Sequence, residues 1–206
     1  MAEFTNPLER WESRFSTDNY LFGEEPNQFL KDQKEYFQNG HALSIADGEG
    51  RNSVWLAKLG LEVDAFDFSK AAIQKANNLA QKNQVSVNFT CSSWQDFSWE
   101  AKKYDYVVGI FFQFANPEKR LKLFQKMIQT LKVGGLLIIQ GYGKDQLLYK
   151  TGGPGELDHL YDESLMRDLL PHFEFLELKT YVATISEGTG HAGMSSLVGV
   201  VARKLA

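Results

Sequence analysis

The chain alternates short, nearly uninterrupted apolar runs with longer stretches whose apolar positions recur every three or four residues. Tyr106-Val107-Val108-Gly109-Ile110-Phe111 and Leu136-Leu137-Ile138-Ile139 lack polar alternation, as expected of strands buried on both faces of a parallel sheet. Strands are predicted near 42–46, 61–66, 85–91, 104–111, 135–141, 173–183 and 196–203. Helices are predicted near 8–15, 26–37, 51–59, 69–82, 117–131 and 162–170. Several ends carry local signals. Ser69 precedes the stripe Ala72, Ala76, Leu79 and reads as an N-cap. Asn116-Pro117-Glu118 combines a capping Asn, Pro at the first helical position and an acid in the first turn. Lys132-Val133-Gly134-Gly135 stops that helix and turns into the next strand.

Strands and helices in alternation imply an α/β fold with right-handed crossovers. The last two β-runs differ: Phe173–Thr184 and Ser195–Arg203 are separated only by Ile185–Met194, too little for a crossover helix. They should pair antiparallel. The expected architecture is a Rossmann-like, doubly wound, mostly parallel seven-stranded sheet with an antiparallel C-terminal strand. The strand near 196–203 should insert beside the one near 135–141.

With 206 residues the chain can bury one sizeable core, so it reads as a single domain, residues 1–38 forming a helical lid segment and 39–206 the Rossmann-like core. A formal charge of −4 without a basic tail argues against nucleic acid as a partner. No run is long enough to span a membrane, and the polar Met1–Leu8 does not read as a leader. Cys91 is the only cysteine, and the four histidines show no ligand spacing, so no metal is expected. A cytoplasmic monomer or homodimer is the plain expectation.

The chemistry concentrates in Ala42-Leu43-Ser44-Ile45-Ala46-Asp47-Gly48-Glu49-Gly50-Arg51-Asn52, a strand running through a Gly-x-Gly turn into a helix. The next apolar run ends in Asp67, about twenty residues on, where an acid can accept hydrogen bonds from ribose hydroxyls. Such a unit binds an adenosine-type cofactor. Ser53 stands where a dinucleotide fingerprint has its third glycine, and no Tyr-x-x-x-Lys pair follows, which argues against an NAD(P)-dependent oxidoreductase.

Further segments add to this: Trp11-Glu12-Ser13-Arg14-Phe15, Tyr20-Leu21-Phe22-Gly23, Pro26-Asn27-Gln28-Phe29-Leu30, Asp67-Phe68-Ser69, Thr151-Gly152-Gly153-Pro154 and Glu187-Gly188-x-x-His191-x-Gly193. In this order they resemble the class I S-adenosylmethionine-dependent methyltransferases, and within them the small bacterial enzymes related to the tellurite-resistance and thiopurine methyltransferases. The resemblance implies S-adenosyl-L-methionine as cofactor and a small-molecule nucleophile (thiol, metalloid, hydroxyl or amine) as methyl acceptor. It implies a cofactor site from Trp11, Tyr20, Asp47, Gly48, Gly50, Arg51, Asn52, Asp67, Phe68, Ser69, Ser93, Trp94, Ile110 and Phe111. Asp67 would hold the ribose, Phe68 the adenine face, and Asp47 or a backbone carbonyl the methionine ammonium. The acceptor site would draw on Phe22, Gln113, Tyr142, Gly152, Gly153 and His191.

Two positions depart from that pattern: Ser44 and Ala46 stand where relatives usually carry an acid and a glycine. They keep open a non-catalytic S-adenosylmethionine-binding regulatory module. No residue is assigned as catalytic, although His191 and Tyr142 are available as general bases. Arg51, at a helix start, calls for an acidic partner, either the cofactor carboxylate or Glu49 or Glu24.

Overall fold

The seven apolar runs form one sheet in the computed structural model, which describes residues 6–206. Residues 1–5, and with them most of the polar Met1–Leu8 stretch, lie outside the described residues. The strands are β1 (His41–Ile45), β2 (Glu62–Asp67), β3 (Asn88–Cys91), β4 (Tyr104–Ile110), β5 (Leu131–Tyr142), β6 (Phe173–Glu187) and β7 (His191–Lys204). Their order is β3-β2-β1-β4-β5-β7-β6. The first five run parallel, and β7 lies antiparallel between β5 and β6. Leu136–Tyr142 pairs with Leu197–Arg203, the insertion expected from the missing crossover.

Helices α1 (Pro7–Phe15), α2 (Gln28–Asp32), α3 (Arg51–Lys58), α4 (Lys70–Lys82), α5 (Pro117–Thr130), α6 (Gln146–Tyr149) and α7 (Glu163–Leu169) complete the described fold. Strand alternation divides the core. Leu43, Ile45, Val107, Leu137 and Ile139 meet Phe124, Met127 and Met166 on one face. Ala42, Val108 and Ile138 meet Phe29, Leu30 and Leu56 on the other. Each central strand thus buries both faces, which is why it shows no polar alternation.

Three expectations are corrected. The Ile185–Met194 connection is a three-residue turn, Gly188-Thr189-Gly190, because β6 and β7 keep pairing out to Glu187 and His191. The helix expected over 26–37 is the short α2 followed by a 3-10 turn at Lys34–Tyr36. The stop at Lys132–Gly135 lies inside β5, whose pairing with β4 shifts register between Tyr104 and Tyr106.

Gly50 shows how the glycine turn is built. It takes a left-handed φ of +90°, and a Cβ there would stand 2.8 Å from Cα and Cβ of Ala76 on α4. Its missing side chain therefore serves helix packing before any ligand. Gly50→Ala combines a strained φ with overpacking, and should cost about 1–3 kcal/mol. A urea midpoint equal to that of the parent would refute this.

Candidate functional site

The C-terminal ends of β1, β2, β4 and β5 converge on one edge of the sheet, where open α/β sheets bind ligands. The β1 turn bends through Ala46 at φ +46° and Gly48 at +62°. Ala46 thus holds a left-handed conformation at the position where the resembled family carries glycine. The Gly48 N–H donates to Asp67 Oδ2 at 3.0 Å, and the Ser69 N–H to Asp67 Oδ1 at 2.9 Å. Asp67 is only 5% exposed, and burial pushes its carboxyl up to about 6, against the pull of those amides. Each oxygen still has a lone pair for an incoming hydroxyl.

Asp47 bears on the Ser44 departure and on Ser53. Its carboxylate accepts from Ser44 Oγ at 2.6 Å and from Ser53 Oγ at 2.5 Å. Asp47 lies three residues after the strand position Ser44 and folds its carboxylate back onto it. Ser53 fills the third-glycine position as its second clamp. Burial raises the Asp47 pKa despite those two hydroxyls.

The N-terminal segment crosses this edge. Glu12 reaches the start of α4, accepting from Ser69 Oγ at 2.5 Å and from the Ala71 N–H at 3.1 Å. Glu49 is buried and accepts from the Leu21 N–H at 2.8 Å and Lys75 Nζ at 2.7 Å. Phe15 lies against Gly48 and packs with Trp11 and Phe22. Tyr20 packs against the cluster of Val54, Leu79 and Ala80. Its hydroxyl donates to the Lys75 carbonyl, anchoring the segment on α4.

Phe22, Phe111, Tyr142 and His191, from four distant segments, pack ring against ring into a closed aromatic cluster, here the chamber. The His191 ring centroid lies 4.3 Å from that of Phe22 and 4.3 Å from that of Phe111. Phe111 lies 4.7 Å from Tyr142. Phe111 takes φ +54°, a strained conformation for an aromatic residue, and such strain clusters at ligand sites. Two polar atoms of this chamber, Tyr142 Oη and His191 Nδ1, are buried without a hydrogen-bond partner. Native proteins rarely leave such atoms unpaired, so both are open to a partner, water or ligand. Burial raises the Tyr142 pKa and lowers that of His191.

Behind the chamber lies a buried ion pair. Arg51 Nη2 donates to Glu187 Oε2 at 2.6 Å, and Asn27 Nδ2 donates to Glu187 Oε1 at 2.7 Å and Gln140 Oε1 at 2.6 Å. Burial opposes ionisation of Glu187, but His191 and Arg51 outweigh it and bring the carboxyl down to about 2. The partner of Arg51 is therefore neither Glu49 nor Glu24 but a residue of the terminal hairpin.

Other expected site residues fall differently. Asn52 accepts from the Asn27 N–H, tying α3 to α2. Phe68 is half-buried just past β2, and Ile110 is buried at the end of β4. Ser93 bonds Asp96 in a turn, and Trp94 packs against the core. Gln113 spends its amide on the backbone, donating to the Tyr142 and His159 carbonyls and accepting from the Tyr142 N–H, so it is a clamp between β4 and β5. Gly152 and Gly153 let their loop lie on Tyr142: a Cβ on Gly153 would stand 2.7 Å from its ring. Glu12, Glu49, Asn27 and Gln140 carried no local signal for these roles. Glu187 did, through its four-residue spacing from His191.

Among the described residues no group of three or more His, Cys, Asp or Glu is placed to hold a metal, and no helix is long and apolar enough to cross a membrane.

A family model described as a methyltransferase domain matches residues 42–135. The chain is similar to a probable S-adenosyl-L-methionine-dependent methyltransferase, TehB, of Haemophilus influenzae, at 25% identity over 137 residues, 66% of this chain and 46% of that protein. A ribosomal protein L11 methyltransferase of Campylobacter concisus is 32% identical over 124 residues, 57% of this chain and 41% of that one. These matches span less than half of either relative. The crystal structure of Haemophilus influenzae TehB superposes with a TM-score of 0.71 at 19% identity, over 96% of this chain and 66% of that one. The N-methyltransferase NodS of Bradyrhizobium japonicum, in complex with S-adenosyl-L-homocysteine, gives 0.70 at 14% identity over 96% and 97%. The fold is that of the class I S-adenosylmethionine-dependent methyltransferases.

Proposed function

We propose that this chain is an S-adenosylmethionine-dependent methyltransferase acting on a small-molecule nucleophile, built as one domain with residues 1–38 as its lid segment. The observation that carries the reading is the adjacency of an acid-and-glycine turn and two unpaired polar atoms. Asp67 and the Gly48 turn can receive a ribose, and beside them stands a ring-lined chamber with two unpaired polar atoms. A sulfonium-borne methyl group is already a strong electrophile when such a cofactor is bound. The protein's part is then to align and to exclude water.

Asp67 would hold the ribose hydroxyls, and Phe68 the adenine face. Asp47, folded back on Ser44, puts a carboxylate near where relatives have theirs, for the ammonium of the cofactor. Trp11, Phe15 and Phe22 close over the turn, and Phe111 and Tyr142 wall the acceptor.

The first test is calorimetry of the whole chain with S-adenosylhomocysteine. Absence of binding sinks the proposal. The segment supplies a second: hydrogen exchange of residues 8–30 should slow when that ligand is added, because closure completes the site. Equal exchange with and without ligand would reduce Trp11, Phe15 and Phe22 to ordinary packing.

A further inference from the structure

Behind His191 stands a carboxylate that cofactor binding does not explain. His191 Nδ1 lies 3.6 Å from Glu187 Oε2, too far for a finished hydrogen bond and close enough to set the ring's polarity. Nδ1 is also the ring atom enclosed without a partner. A bare lone pair on Nδ1 would face a carboxylate; an N–H there would be attracted to it. Electrostatics therefore places the proton on Nδ1 and leaves the Nε2 lone pair for a ligand.

We propose that His191 takes the acceptor's proton at Nε2 during methyl transfer, with Glu187 holding Nδ1 protonated from behind, so that the acceptor is a neutral hydroxyl-type nucleophile rather than a preformed anion. The proposal rests on the methyltransferase reading above. The acceptor oxygen attacks the methyl carbon, and the carbon–sulfur bond breaks with its electron pair passing to sulfur. The hydroxyl proton passes to Nε2, and the resulting imidazolium faces Glu187. Glu187 is a positioning residue, since it touches neither reacting atom.

Three features of the chamber support the choice of acceptor. Phe22 and Phe111 pack their apolar rings against His191, and an apolar surround offers an anion no solvation. Tyr142 Oη, unpartnered in the same chamber, can donate to a neutral oxygen. The charged and titratable groups around the imidazole are Glu187 on β6, Arg51 on α3, Arg14 on α1 and Tyr142 on β5. Burial is the largest influence and keeps the ring neutral. Glu187 opposes it, while Arg51 and Arg14 reinforce it. A neutral imidazole at physiological pH is the form a general base needs.

The test reads the ring directly. In the full chain labelled with nitrogen-15 histidine, nitrogen–proton correlation spectra distinguish the tautomers, and His191→Gln assigns the His191 signals. The expected result, with and without S-adenosylhomocysteine, is a neutral ring at pH 7 protonated on Nδ1. In Glu187→Gln the ring should titrate at lower pH, because the imidazolium loses its counter-charge. A ring protonated on Nε2, or charged at pH 7, overturns the proposal, as does a titration unmoved by Glu187→Gln. If that variant does not fold, the tautomer in the parent decides. Failure of S-adenosylhomocysteine to bind strikes the methyltransferase reading instead. Binding with the wrong tautomer strikes the dyad alone.

Discussion

Asp67→Ala should weaken S-adenosylhomocysteine binding more than tenfold in calorimetry, with the sheet still folded. Hydrogen bonds to a charged acceptor contribute about 1.5–3 kcal/mol each, and a ribose offers two hydroxyls. The same carboxylate predicts a pH dependence. Burial holds it at about 6, so a ribose donating two hydrogen bonds selects the ionised form. Affinity should therefore be full above pH 7 and fall as pH drops through 6, to roughly a tenth at pH 5. In Asp67→Asn that dependence should vanish, because an amide does not titrate. A folded Asp67→Ala with unchanged affinity would remove Asp67 from the ribose site. A flat pH profile in the parent would refute its titration.

Arg51→Met should cause a large loss of stability. Arg51 and Glu187 form a pair 2.6 Å apart whose side chains are 7% and 9% exposed. Removing the cation strands a carboxylate in the interior, at a cost of about 3–5 kcal/mol. For a chain of this size that is roughly 10 °C in melting temperature. Adding Glu187→Gln to Arg51→Met should recover part of the loss, since no buried charge then stands alone. A single-variant loss under about 1 kcal/mol would place the pair in effective contact with water.

Asp67 is legible locally: an apolar run ends in an acid at the right distance after a Gly-x-Gly turn, and strand ends define one edge of a parallel sheet. Arg51 is legible only as a cation in need of an acid. Glu187 is 136 positions away in sequence, and nothing local selects it over Glu49 or Glu24. Gln113 carries the opposite lesson. It stands at the strand end where an acceptor-binding group was expected, yet its amide is consumed by three backbone partners.

The sequence by itself determined the strands, the reversed terminal pair and the place of the glycine turn. Each is a short-range matter: apolar periodicity decides which faces are buried, and a connection too short for a crossover allows only antiparallel pairing. Tertiary structure alone decided that Asp47 folds back between Ser44 and Ser53, and that Glu12 caps α4. It also decided that Phe22, Phe111, Tyr142 and His191 share one chamber. These meetings join segments tens to well over a hundred residues apart, apart from the Asp47 turn. They exist only after the sheet has fixed where each strand ends, and a side chain's partners then depend on position in space, which no local pattern records.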